Sequence, residues 1–157
     1  MKIIASILLW IILIFMASCH EVEVMEKAAN IPQHAWVKTQ SAIVELDVKD
    51  SALYDLYILV RHSQKFPYTH LITRLSIQDT AGKQLGIMDL TLPLTKSDGN
   101  WSGVNIDDLY DHRIKINNPV FLKSGKLRFI FRHEMKENPL PFILNIGVAI
   151  SKSKEPL

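Results

Sequence analysis

The chain is predicted to fold as an all-β domain, an antiparallel β-sandwich of jelly-roll or Ig-like type. Three observations carry this. Apolar residues recur at every second position through several stretches, polar turn residues separate those stretches, and no long helical period follows the oily amino terminus. Alternation with period two marks strands that bury one face. At 157 residues the chain fits one ordinary domain with short additions.

The strands follow in order. "EVEV" (21–24) alternates and reads as a tether merging into a first strand, and Pro32 in "NIPQHAW" then interrupts regular pairing. In "AIVELDV", Ala42, Val44, Leu46 and Val48 share a face opposite Glu45 and Asp47. "LYDLYILVRH" sets Leu56, Ile58 and Val60 against Asp55, Tyr57, Leu59 and Arg61. "HLITRLSIQD" aligns Leu71, Thr73, Leu75 and Ile77, and "KLRFIFRH" opposes Leu127, Phe129 and Phe131 to Arg128 and Arg132. The last strand, "ILNIGVAIS", groups Leu144, Ile146, Val148 and Ile150. "QLGIMDLTL" and "RIKIN" are shorter candidates, and "DDLYDHR" is expected to form one turn of helix at most. Turns fall at Lys49-Asp50-Ser51, Ala81-Gly82-Lys83, Ser97-Asp98-Gly99-Asn100, Asn117-Asn118-Pro119, Ser124-Gly125 and Asn138-Pro139. The sandwich is expected over 41–151, after a tether and first strand at 19–40 and before a frayed tail at 152–157.

The amino terminus sets the compartment. Met1-Lys2 is a positive head, and Ile3 to Phe15 is apolar apart from Ser6. At about 1.5 Å per residue that run reaches only about 20 Å, short of a bilayer core, and reads as a signal-peptide hydrophobic region over 1–18. Met16-Ala17-Ser18 before Cys19 has the form of a bacterial lipobox, in which small residues admit the peptidase and the thiol receives a diacylglyceryl thioether. The alternative is an uncleaved signal anchor. On the lipobox reading the chain's single cysteine is an anchor, and two or three long acyl chains, palmitate among them, hold it to the bilayer. His20-Glu21 lacks the Asp of an inner-membrane retention signal, so the outer membrane, facing the periplasm, is the expected location.

Composition excludes some functions. Eighteen basic residues against sixteen acidic ones give a net charge of +2, and no basic run carries interleaved aromatics, so no nucleic-acid surface is expected. One cysteine allows no intramolecular disulfide and no cysteine-based zinc spacing. Asp98, Asn100, Asp107 and Asp108 are weak candidates for a calcium loop, without the ligand spacing such a loop requires. No nucleophile elbow or HExxH motif is present, so neither enzyme activity nor a cofactor is expected. A hydrolase would have to draw on Asp107, Asp111 or His112. Trp36, Phe66, Tyr68, Trp101 and Tyr110 fall in or beside loops. Such aromatics anchor a protein interface, stack on a sugar, or cap the sandwich ends.

Several segments together resemble one family. "NIPQHAW" (30–36), "ALYDLYILVRH" (52–62), "RHSQKFPYTHLITRL" (61–75), "DGNWSGVNIDDLYDH" (98–112) and "EMKENPLPFILNIGVAI" (134–150), in this order after a lipobox, are similar to the gliding-motility lipoproteins of Bacteroidetes known as GldH. The chain departs from that pattern at Ser102-Gly103-Val104-Asn105, where a more glycine-rich stretch is expected. The resemblance implies a membrane-attached, non-enzymatic component of gliding, linked to type IX secretion, with Cys19 lipidated. The leading expectation is therefore a lipid-anchored module that contacts other envelope proteins through Phe66, Tyr68, Trp101 and Tyr110. A glycan- or peptidoglycan-binding sandwich is the alternative.

Overall fold

Residues 24–154 are described by a computed structural model; the signal peptide, Cys19 and the last three residues lie outside the described residues. In chain order the strands are β1 (Val24–Asn30), β2 (Ala35–Trp36), β3 (Ala42–Val48), β4 (Ala52–Ser63), β5 (His70–Asp79), β6 (Gln84–Pro93), β7 (Val104–Ile106), β8 (Leu109–Lys115), β9 (Val120–Leu122), β10 (Gly125–His133), β11 (Leu140–Pro141) and β12 (Ile143–Lys152). One sheet has the order β1-β12-β4-β8-β7, with β9 continuing the β8 side along the first residues of β4. The facing sheet has the order β3-β10-β5-β6. A two-residue pairing of β2 with β11 closes one end. Every pairing is antiparallel.

The expected inner faces form the core between the sheets. Val44, Leu46 and Val48 of β3, Leu56, Ile58 and Val60 of β4, Leu71, Leu75 and Ile77 of β5, and Phe129 and Phe131 of β10 are buried together. Burying each phenyl ring contributes about 2 kcal/mol. Thr73 shares that face; its hydroxyl donates to the Arg132 carbonyl at 2.8 Å, which meets the need of a polar group placed in a core. The outward faces carry crossing ion pairs between neighbouring strands, among them Arg74–Asp89 at 2.6 Å and Arg128–Glu45 at 3.2 Å.

Four expectations are corrected. The sandwich begins at Val24 rather than 41, because β1 pairs along its whole length with β12, and it runs to Lys152. β1 escapes the alternation rule because it is an edge strand with most side chains exposed. "DDLYDHR" forms no helical turn: Asp107 and Asp108 make the tight turn between β7 and β8, with Asp107 in the left-handed region at φ 57, which Asp tolerates. Leu144 is not on the inner face with Ile146, Val148 and Ile150, since a bulge at Ile143–Asn145 shifts the parity and turns Ile143 inward. Trp36 is no loop-surface aromatic; it is fully buried, with its Nε1 donating to the Gln40 carbonyl at 2.8 Å.

Gly147 explains how tightly β1 sits. A Cβ there would run into the Lys27 carbonyl oxygen and Ala28 of the facing strand, so only glycine permits that approach.

Candidate functional site

The sequence places two histidines on inner faces. His62 continues the Leu56, Ile58, Val60 face to the end of β4, and His112 lies on the inner face of β8 with Tyr110 and Ile114. In the β4–β8 register, His62 stands opposite Tyr110 and Val60 opposite His112, which brings the two imidazoles together on a diagonal. Their rings stack at 4.9 Å between centroids, with Nε2 to Nε2 at 2.9 Å. Both are buried.

Hydrogen-bond partners fix the protons of this pair. His62 Nδ1 lies 2.8 Å from the Ser63 carbonyl, which can only accept, so Nδ1 carries the hydrogen and Nε2 is a lone pair. His112 Nε2 must then donate to it. The Ser102 hydroxyl lies 3.0 Å from the Leu94 carbonyl and 3.3 Å from His112 Nδ1, so its single hydrogen is shared between two acceptors, and the same carbonyl also takes the Ser102 amide at 2.8 Å. One neutral arrangement thus satisfies His62 Nδ1 and both Nε2 atoms, and leaves His112 Nδ1 the longer contact of the Ser102 hydroxyl. Burial pushes both imidazoles below their ordinary pKa. His112 is held down to about 4, by burial first and by its neighbour His62 second, against an opposing pull from Asp111.

The aromatic residues close around this pair. The turn after β4 is tied by the Phe66 amide to the Ser63 carbonyl at 3.0 Å and the Gln64 amide to the Asp108 carbonyl at 2.7 Å. The segment 94–102 folds back on itself, with Thr95 bridged to Trp101, and sets Trp101 edge-on to His62 at 4.5 Å. Tyr110 stacks on His62 at 5.8 Å and lies 5.7 Å from Trp101; Phe66 lies 5.2 Å from His62 and 5.6 Å from Tyr68. Phe66, Tyr68, Trp101 and Tyr110, expected as contact residues, therefore form one cluster at one end of the sandwich. Phe66, only 3% exposed, supports the others from beneath. Tyr68, Trp101 and Tyr110 are half-buried. The Tyr68 hydroxyl donates to Glu137 Oε2 at 2.8 Å, and that bond raises its pKa. Gly103 lets the chain pass against His112, for a Cβ there would stand 2.7 Å from the Asp111 carbonyl and 2.8 Å from His112 Nε2.

The remaining candidates stay apart. Asp98 Oδ1 accepts the Asn100 amide at 3.0 Å within its own turn, which lowers its pKa, and the Asp107 carbonyl accepts from Asn105 Nδ2 at 3.1 Å. Among the described residues no group of three or more His, Cys, Asp or Glu side chains is placed to hold a metal ion. Asp111 and His112 are neighbours on a strand and so face opposite sides of the sheet. Asp111 is spent on a two-point pair with Arg61, both contacts at 2.5 Å, which keeps its carboxyl below the usual range. The Ser102–His112 pair has a base titrating near 4 with no carboxylate behind it, a weak arrangement for activating a hydroxyl at neutral pH. On the outer face of the larger sheet, a groove of about 360 Å³ is lined by Arg61, Asp111, Arg113, Glu26, Leu59 and Asn145 among others. Its charges are already paired, Arg113 with Glu26 at 2.7 Å and Arg61 with Asp111.

Sequence reasoning missed the histidine pair because 50 residues separate its members. The signal was there in parity: each histidine falls on the inner side of its strand's alternation.

Among solved structures, the fold is similar to a family 35 carbohydrate-binding module, Xyl-CBM35, in complex with a glucuronic acid-containing disaccharide (TM-score 0.46, 13% identity, covering 87% of this chain and 96% of that one). The family 35 module of Cellvibrio japonicus Abf62 is also similar (TM-score 0.40, 14% identity, covering 82% and 99%). Likenesses this distant say nothing about a ligand. In sequence, the chain is 29% identical over 150 residues to the "Gliding motility lipoprotein GldH homolog" of Christiangramia forsetii, covering 90% of this chain and 91% of that relative. The model of the GldH lipoprotein family matches residues 23–150, and with the lipobox and the ordered segments this closes the matter of kinship: the chain belongs to the GldH lipoproteins of gliding motility.

Proposed function

We propose that this lipoprotein is acylated at Cys19 after removal of residues 1–18 and works without catalysis, through protein–protein contact, in gliding and the associated type IX secretion machinery. It sits in the outer membrane facing the periplasm. Tethering confines it to a surface and raises its effective concentration for envelope partners, so modest contacts suffice.

One observation carries the contact reading. Aromatic residues from three separate segments gather at the end of the sandwich opposite Val24, backed by a buried, mutually hydrogen-bonded histidine pair. Tyr68, Trp101 and Tyr110 present rigid, amphipathic surface at low entropic cost, as interface hot spots do. The test is a membrane pull-down with the wild type and with Trp101→Ala and Tyr68→Ala variants, alongside gliding and secreted-protein profiles of the same strains. Loss of a specific envelope protein with preserved membrane attachment is expected. An unchanged partner set removes these residues from the contact. Peptidoglycan or glycan binding abolished by Trp101→Ala would replace a protein partner with a sugar one.

A further inference from the structure

At the end of the sandwich where the described chain begins, two sheet edges that pair with no further strand among the described residues meet. β6 is the edge of the smaller sheet and β9 the edge of the larger one, and a groove of about 190 Å³ lies between them, lined by Ile77, Leu85, Ile87, Met88, Phe121 and Lys123 among others. Its side chains are unusually bare for their type: Ile87 is 59% exposed and Phe121 51%. Lys123 lines it, and Lys83 in the β5–β6 turn and Lys126 at the start of β10 lie at the same end of the sandwich, all three exposed.

We propose that this edge docks on the membrane, with Leu85, Ile87 and Phe121 entering the headgroup layer and Lys83, Lys123 and Lys126 binding anionic phospholipid headgroups. The inference rests on the acyl anchor at Cys19 proposed above. Five residue steps separate Cys19 from Val24, and an extended chain covers at most about 17 Å in that count. The groove is close to that attachment. Val24 stands opposite Ser151, Ser151 opposite Asp55, and the adjoining Tyr54 opposite Val120, which is three strand spacings or about 14 Å. The bilayer and the groove are therefore held within one short reach.

Charge is distributed to match. This end carries Lys49, Lys83, Lys115, Lys123, Lys126, Lys152 and Lys154 against Asp47, Asp50, Asp55 and Asp79, with Lys115 pairing Asp55 at 2.9 Å and Lys152 pairing Asp50 at 2.5 Å. At the aromatic end Asp98, Asp107, Asp108, Asp111, Glu134 and Glu137 are balanced by Lys38, Arg61, Lys65, Lys96, Arg132 and Lys136. Exposed apolar side chains at an end with an excess of lysines suit a headgroup boundary, where burial and attraction to anionic lipid act together.

The test uses the acylated protein in phosphatidylcholine vesicles with and without phosphatidylglycerol. Because acylation consumes the Cys19 thiol, Phe121→Cys and, separately, Asp107→Cys each supply one site for a polarity-sensitive nitrobenzoxadiazole label. The expected result is a blue-shifted, iodide-shielded label at 121 in anionic vesicles, an open one at 107, and loss of the shielding at 121 when Lys83, Lys123 and Lys126 are changed to Glu. Equal iodide quenching at 121 and 107, in protein whose mass includes the acyl chains, overturns the docking while leaving the anchor intact. Shielding that persists in detergent and grows with protein concentration assigns the edge to a second copy and also overturns it. A mass without acyl chains, with a reactive Cys19, defeats the anchor itself and this inference with it.

Discussion

Acidification should weaken the fold through the buried histidine pair, and His112 supplies the magnitude. Its pKa falls from an ordinary 6.5 to about 4 in the folded chain. A base whose folded pKa is depressed leaves the unfolded state holding more protons below pH 6.5, so its contribution is complete above that value and drains away as pH falls toward 4. At about 1.4 kcal/mol per pH unit, and allowing for the gradual onset near 6.5, His112 alone removes about 2 kcal/mol between pH 7 and pH 5. His62 and His133, both depressed by burial, act in the same direction. The assay is urea unfolding of the mature chain carrying Cys19→Ser, followed by Trp36 and Trp101 fluorescence at half-unit steps across this window. A His112→Gln variant is less stable at pH 7, having lost the stacked ring, but its pH slope should be shallower by the His112 share. Carboxylate titration is common to both proteins and cancels in the difference. Parallel slopes for the two proteins would refute the burial argument.

Other substitutions probe the packing. Gly147→Ala drives a methyl into the β1 backbone and should release that strand, read as new proteolytic cleavage within 24–30 together with a loss of about 1–3 kcal/mol. Phe129→Ala leaves a cavity at the centre of β10 and should cost about 3–5 kcal/mol by denaturant unfolding. Arg61→Ala breaks a well-formed but solvent-facing pair with Asp111 and should change stability by no more than about 1 kcal/mol in the same assay, less in high salt. A larger loss would mean that the outer groove depends on that pair for its shape.

The strands legible from sequence are those with one wet and one dry face, and β3, β4, β5 and β10 obey the alternation residue by residue. What escaped has physical causes. The first half of β8 looked like loop because its inner positions hold Tyr110 and His112, and His112 finds its hydrogen-bond partner His62 on β4, 50 residues away. β12 reads as strand, but nothing local reveals the bulge that exchanges Leu144 for Ile143. Trp36 passed for a surface residue because β2 is two residues long, and only its pairing with β11 draws the indole under cover beside His133. In the site, the four aromatics were readable as loop residues. Their convergence on the two imidazoles was not, since it depends on the register of β4 against β8.

The placement of β1 has a mechanical consequence. The strand enters at Val24 and ends at Asn30, seven register pairs along β12, pointing from the tethered end toward the aromatic one. On the proposed function, a pull between an acylated Cys19 and a partner gripping Trp101 would run along that strand rather than across it. Such a load strains all seven rungs together, in shear, whereas a sideways tug would unzip them one at a time. On the proposed function, the load would thus fall in the direction in which a β-ladder is hardest to tear.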